Sequence, residues 1–468
     1  VTGNLGPRER AICEEIVRRR RLKKRVAEAL HVKQRAFACD SCKRLAAQAG
    51  RRAGKSTGLA GRFFLTAIDN PTECSVFIAI SAARANEIIG TALRTIGKAI
   101  DWEPKPTSRA GQLYWIFPNG HKLWVAGCKN KADAEKFRGS RYAGAAVDEC
   151  DSMRRHLQYL VEDILDPALM DLDGWLALTG TPGVTPTGYF HAITTGEDKI
   201  QSWPTYHWTA LDNPFLKDPA GYLRRRREAL GLSETSPTYR REWLGEWVLD
   251  LESLCYPYDA ARNAIEGPLT GHDWRYVLAI DLGVVDDTAF ALLAYRARDP
   301  VIRVVETRTY HNSTPSSIGL RVGEWRARYP GARIIADTGG IGKGFTAEWA
   351  ARYGIFCEPA HKADCAAQIV LTGDLIRTGA LKIHLPGCDT LARQWCVLPW
   401  NPDRTGHDPA YEDHESDAVR YGVMAIRPLI TVASVDEPPP GTPAFEQRQE
   451  AARRAAVFAN AGKPQRRR

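Results

Sequence analysis

The stretch Gly50-Arg51-Arg52-Ala53-Gly54-Lys55-Ser56-Thr57 constrains this chain more than any other. It reads as a loop that opens a helix and surrounds a triphosphate with backbone N–H groups. Such a loop needs a lysine for the outer phosphates and a hydroxyl for Mg2+. Gly54, Lys55 and Ser56 stand in that order, followed by Thr57. The first glycine of the usual pattern falls at Ala49, so Gly50 makes the turn one residue later. Arg51 and Arg52 add positive charge beside the phosphates. Taken alone, the same residues also fit a basic surface loop, because a lone Gly-Lys-Ser is common.

The second half of a nucleotide site lies downstream. Tyr142–Val147 is an apolar strand that ends in Asp148-Glu149. A strand end of this kind holds Mg2+ through Asp148 and activates water with Glu149. Leu176-Ala177-Leu178 is a further strand, ending in Thr179-Gly180-Thr181-Pro182. Thr179 is placed either to sense the γ-phosphate or simply to form a Gly-Pro turn. Arg138, just before the acidic strand, is a candidate to neutralise charge on the transferred phosphoryl group; Arg141 is its neighbour. Together these features predict an ATPase.

Between them the pattern is that of an α/β sheet. Residues 8–30 predict a basic amphipathic helix, and Lys55 to about Ala67 a second. Val76–Ile80 reads as a buried parallel strand and 82–100 as a helix. Leu113–Phe117 and Lys122–Ala126 pair across Pro118-Asn119-Gly120. Residues 183–268, rich in tryptophan, read as a lid or linker subdomain.

From Trp274 the pattern changes. Tyr276–Ile280 ends at Asp281, Thr288–Tyr295 and Val301–Tyr310 follow as strands, and Ile318–Tyr329 as a helix. Ala332–Ala336 ends at Asp337, and Glu415–Ile426 is helical with Asp417 in its first turn. Three strands, a helix, then alternating strand and helix is the order of an RNase H-like domain. Three carboxylates converging there bind two divalent ions ~3.5–4 Å apart, one for the attacking water and one for the leaving oxygen. His414 shares a helix face with Asp413 and Asp417, as a metal or phosphate neighbour or as a surface histidine. Asp286 and Asp287 read as turn residues.

Composition bounds the rest. The 468 residues suffice for two or three cores, and a net charge of +9 favours a polyanionic partner. The 11 scattered cysteines predict reduced thiols, and Cys39-x-x-Cys42 lacks a second pair for zinc. No apolar run approaches a membrane span, so a soluble, intracellular chain is expected. The expected division is 1–182 ATPase with a helical arm, 183–268 lid, 269–430 nuclease, and 431–468 a flexible basic tail.

In order and spacing these motifs resemble the large terminase subunit of tailed bacteriophages, over about Gln34 to Arg427. Gln34 matches that family's adenine-reading glutamine, and Arg51–Ser56 its often deviant Walker A loop. Arg138-Gly139 stand before the Walker B match Val147-Asp148-Glu149, and Thr179–Pro182 match its coupling motif. Asp212-Asn213-Pro214 and Leu244-Gly245-Glu246-Trp247 resemble its lid segment. Asp281-Leu282-Gly283, Asp337 and His414–Ala418 resemble its nuclease motifs; where many members carry another acid, this chain has Ser416. The resemblance implies ATP with Mg2+ at the first site and two Mg2+ or Mn2+ ions at the second. It implies double-stranded DNA, a portal protein and a small terminase subunit as partners, a ring of typically five copies on the procapsid, and action in the host cytoplasm. Two other classes compete: a cellular helicase–nuclease of DNA repair, for which no second RecA-like domain is found, and a non-catalytic DNA-binding scaffold, against which Lys55, Glu149 and the three aspartates speak.

Overall fold

A computed structural model describes residues 6–196, 203–283, 287–296, 299–311, 313–339 and 342–430, with Pro443, Glu446, Gln447 and Glu450. Asp286 and nearly all of the 431–468 tail lie outside the described residues. The chain forms two compact units: 1–254 with 397–412, and 255–396 with 413–468.

The first unit is built on an eight-stranded sheet. Its order is Lys105–Arg109, Gln112–Ile116, Lys122–Gly127, Cys74–Ala79, Gly144–Val147, Trp175–Gly180, Arg44–Ala49 and Thr205–Trp208. The last six run parallel, while the first two form an antiparallel edge. Parallel strands covered on both faces should be apolar on both sides. Along Cys74–Ala79, Phe77 and Ala79 join one core, with Phe63, Phe64 and Trp115. Val76 and Ile78 join the other, with Trp124, Phe137 and Ile164. This two-residue alternation feeding two cores is why the run carries almost no polar residue.

Helices fall where the pattern predicts: Pro7–Glu28, Lys55–Asp69 and Ala82–Ile100. Arg62 fastens the second of these to the preceding segment, donating to the carbonyls of Asp40 at 2.7 Å and Cys42 at 2.8 Å. Burial brings its guanidinium down to about 10. The Cys39–Cys42 turn is therefore held by an arginine, and all 11 cysteines are free. Two strands of this sheet went unread in the sequence. Lys105–Arg109 is exposed throughout and carries no apolar signal. Thr205–Trp208 lies inside the segment read as a lid, yet pairs in parallel with Arg44–Ala49.

The second unit holds a seven-stranded sheet in the order Glu358–Pro359, Arg333–Ala336, Arg275–Asp281, Thr288–Arg296, Asp299–Tyr310, Leu381–Leu385 and Ala264–Glu266. Arg275–Asp281, Thr288–Arg296 and Asp299–Tyr310 form an antiparallel meander. Arg333–Ala336 then returns parallel beside the first, pairing Ile280 with Ala336. This is the RNase H-like order. One face buries Leu278, Ile280, Phe290 and Leu292 under Trp325 and Trp349. Helix His414–Ile426 crosses the other face. Gly422 lets it lie close, because a Cβ there would stand 2.4 Å from Leu293 Cδ1. Among the described residues no helix is long and apolar enough to cross a membrane.

Candidate functional site

Two groups of strand-end side chains stand out, one in each unit. In the first, Arg44–Ala49 delivers the glycine-rich loop and Lys55–Asp69 leaves it. Gly54 adopts φ +89°, a conformation that favours glycine, and opens the helix. The helix N-terminus presents unpaired N–H groups and a partial positive charge to an anion. Ser56 and Thr57 sit half-buried in its first turn. Gly50 is required for a different reason: a Cβ there would lie 2.2 Å from the Trp243 carbonyl oxygen.

Lys55 lies within electrostatic reach of Asp148 and Glu149. Its ammonium donates to Thr181 Oγ1 at 3.2 Å and to the Ala49 carbonyl at 3.3 Å. Burial pushes Lys55 down from the usual lysine range, and the Asp148 and Glu149 carboxylates pull it back up. The strand Trp175–Gly180 lies between the loop strand and the acidic strand. Thr179 therefore faces Asp148, donating to Oδ1 at 2.6 Å. Glu149 is held in the left-handed region at φ 57°, ψ 40°, a conformation that costs a non-glycine residue about 1 kcal/mol. Its N–H donates to Asp148 Oδ1 at 2.9 Å, and its carboxylate pairs with Arg84 at 3.1 Å.

Gln34 reaches the loop, donating from Nε2 to the Gly54 carbonyl at 3.0 Å. Asn213 donates to the Arg52 carbonyl at 3.0 Å, and Gln48 to that of Gly245 at 2.7 Å, so one lid-like motif touches the loop and the other touches the strand that leads into it. Arg51 is paired with Glu242, while Arg52 is exposed at φ 62°. Arg138 is held by Glu135 at 2.7 Å and by the Tyr159 hydroxyl at 3.1 Å. None of its described contacts joins the loop. The arginine that does reach the acids is Arg84, which follows Ser81 at the start of its helix and has no motif to mark it.

In the second unit, Asp281 and Asp337 end neighbouring strands and Asp417 sits in the first turn of the crossing helix. They gather around Tyr421, whose phenol is pushed up by burial and by the Asp281, Asp417 and Asp337 carboxylates. Its hydroxyl donates to Asp281 Oδ1 at 3.4 Å. Burial raises the Asp281 carboxyl, and Asp417 adds to the rise, while His414 works against it. Each acid carries a basic partner. His414 Nδ1 is 3.1 Å from Asp281 Oδ2, Arg420 is 3.0 Å from Asp417 Oδ1, and Lys362 is on Asp337 Oδ2. Among the described residues the ligand atoms of Asp281, Asp337 and Asp417 do not all come within 4.8 Å of one another. Carboxylate oxygens are the donors that hard divalent cations take. Glu415, next to His414, is buried and accepts from Thr307 at 2.7 Å and Thr309 at 2.9 Å, which fixes the helix to the sheet.

Tyr421, Lys362 and Arg420 escaped the sequence reading, as did Thr181 as a lysine partner. Arg420 and Tyr421 follow Asp417 on one helix, so the spacing alone placed them near. Nothing in the sequence tied Lys362 to Asp337.

Known proteins resemble this chain in sequence over its first half and in fold over most of its length. Residues 47–255 match the family described as terminase large subunit, T4likevirus-type, N-terminal. No curated protein sequence matches the chain. Among solved structures, the large terminase of bacteriophage HK97 is similar at TM-score 0.50 and 15% identity, over 85% of this chain and 95% of that one. The large terminase of a thermophilic bacteriophage, in complex with ADP, gives 0.41 and 17%, over 85% of this chain and 100% of that one. The nuclease domain of the P22 large terminase gives 0.32 and 17%, over 37% of this chain and 92% of that one.

Proposed function

We propose that this chain is a large terminase subunit of the tailed-phage type and serves as a viral DNA-packaging motor. ATP hydrolysis drives double-stranded DNA into the procapsid, and a metal-dependent endonuclease cuts the concatemer at the start and end of packaging. The observation that carries this reading is the half-buried Lys55 at a helix N-terminus, bonded to Thr181 and drawn by the Asp148 and Glu149 carboxylates, with Thr179 on Asp148.

The roles follow from the chemistry. Lys55 and the loop N–H groups hold the β- and γ-phosphates, with Ser56 and Asp148 on Mg2+. Glu149 orients and deprotonates the attacking water once it leaves Arg84. Thr179 ties Asp148 to the strand between the two half-sites, so loss of the γ-phosphate is felt along Thr179–Pro182. The contacts of Asn213 and Gly245 carry that change into the lid segment 183–268. Gln34 is positioned to read the base. Arg51 and Arg52 add charge at the phosphates, and Arg138, exposed on its loop, acts on a neighbouring copy's nucleotide.

In the second unit Asp281, Asp337, Asp417 and His414 would hold Mg2+ or Mn2+, which would supply Lewis-acid activation of water and charge for the leaving oxygen. Tyr421 keeps Asp281 aimed at the centre. A portal protein, a small terminase subunit and a pentameric ring on the procapsid complete the assembly, in the host cytoplasm.

The test uses the full chain. Glu149→Ala should abolish ATP turnover and spare plasmid cleavage, and Asp281→Ala should do the reverse with Mg2+ or Mn2+. An unchanged rate in either variant removes that half of the assignment.

A further inference from the structure

Each nuclease carboxylate has a described basic partner, and these three partners differ in how firmly they are held. Arg420 is almost fully enclosed, with 4% of its side chain exposed, and Gln368 Oε1 accepts from its Nη1 at 2.7 Å. His414 shows 21%, and its backbone belongs to the crossing helix. Lys362 shows 48%, on a segment with no regular secondary structure.

That segment is nonetheless fixed on both sides of Lys362. Buried Gln368 donates to the carbonyls of His361 at 3.0 Å and Ala363 at 2.7 Å. The same Gln368 takes its other hydrogen bond from Arg420, which holds Asp417. The backbone beneath Lys362 is therefore tied, through two buried side chains, to one of the three acids. Only the four-carbon stem of Lys362 is free to swing. Its ammonium rests 5.5 Å from the centre of the Tyr421 ring, a weak hold that a full charge elsewhere outbids.

We propose that Lys362 is an exchangeable counter-cation: it occupies Asp337 until a divalent ion takes that carboxylate, and then turns outward to a phosphate of the DNA strand. The inference rests on the nuclease reading above. A carboxylate already neutralised binds a divalent ion less well, because the ammonium must first be displaced. A DNA phosphate that draws Lys362 away lowers that cost, and by linkage a bound ion frees Lys362 for DNA. Ion loading and strand engagement then favour one another, which keeps the site idle when no DNA lies across it. Asp337 Oδ1 stays in place during the exchange, because the Gly339 N–H holds it at 2.9 Å.

The experiment is calorimetric titration of the nucleotide-free full chain with MnCl2, alongside cleavage of a plasmid at graded Mn2+. Asp281→Asn defines the share of Mn2+ binding that belongs to this site. Lys362→Ala should bind that share about three- to fivefold more tightly than the parent, as loss of one half-exposed ion pair allows. Its plasmid cleavage should reach half-maximum at lower Mn2+ but plateau at a lower rate, because the phosphate contact is gone. Lys362→Arg should keep the parent affinity. Lys362→Gln, checked by near-ultraviolet circular dichroism for a native fold, repeats the test if the alanine variant misfolds. Equal Mn2+ affinity in the parent and both neutral variants overturns the exchange. Equal affinity in the parent and Asp281→Asn removes the nuclease site itself, a separate result.

Discussion

The two sites solve the problem of like charges in different ways. The nucleotide site is assembled largely from backbone: a left-handed glycine, a helix N-terminus and a lysine that reaches Thr181 and the Ala49 carbonyl. Its two acids share one lysine, with Thr179 and Arg84 as further partners. The carboxylate site leans more on side chains, with a backbone hydrogen bond from the Gly339 N–H to Asp337 Oδ1. Three acids from two strand ends and a helix each find a separate basic side chain. A site made of backbone is fixed before its ligand arrives. A site made of side-chain charge pairs has to exchange partners to work.

The comparison breaks first at the catalytic acids. Glu149→Gln should lower ATP turnover by about 100- to 1000-fold and leave plasmid cleavage intact, measured by phosphate release and by gel. Asp281→Asn should do the opposite. If either variant lost both activities, the sites would share more than their chain. The next largest effect is structural. Gly50→Ala should destabilise the chain by about 1–3 kcal/mol, since its Cβ meets the backbone of Trp243, and thermal unfolding would show it. The equivalent change at Gly339, whose Cβ would meet only Asp337 Oδ1 at 3.2 Å, should cost less.

Thr179→Val comes third. It removes a hydrogen bond to the Asp148 carboxylate and should lower the ATPase kcat about tenfold. A larger effect on KM than on kcat would mean that Thr179 serves binding alone.

The smallest effect concerns stability and pH. Burial and Asp417 raise the Asp281 carboxyl, so the native chain holds this proton more tightly than the unfolded one. Stability from this group is therefore present in acid and is lost as pH rises through the native value. Asp281→Asn removes that loss. Without added metal it should be more stable than the parent at neutral pH, with no gain below about pH 4. Thermal unfolding at both pH values reads this. A less stable variant at neutral pH would mean that the His414 and Tyr421 contacts outweigh burial.

Much of the fold was legible because the strands are apolar on both faces and the helices carry clear apolar stripes. Ala82–Ile100 was readable to the residue, and all three aspartates sit at the ends of predicted elements. Lys105–Arg109 was illegible, since an exposed edge strand has no burial pattern to read. Thr205–Trp208 was hidden among tryptophans that suggested a separate lid. Arg138 stood close to the acidic strand in sequence, yet its described partners are Glu135 and Tyr159, and Arg84 is the arginine that reaches Glu149.

By itself the sequence determined where the chain turns and where its acids end up along each strand, because glycine geometry and the two-residue alternation of a strand are local properties. Arg420 stands three residues after Asp417 on one helix, but for the other acids only the tertiary structure decided which cation faces which. Lys362 is 25 residues from Asp337, Arg84 is 65 from Glu149, and His414 is 133 from Asp281. Pairings at such separations follow from how strands and helices pack, and no short-range pattern of residues encodes them.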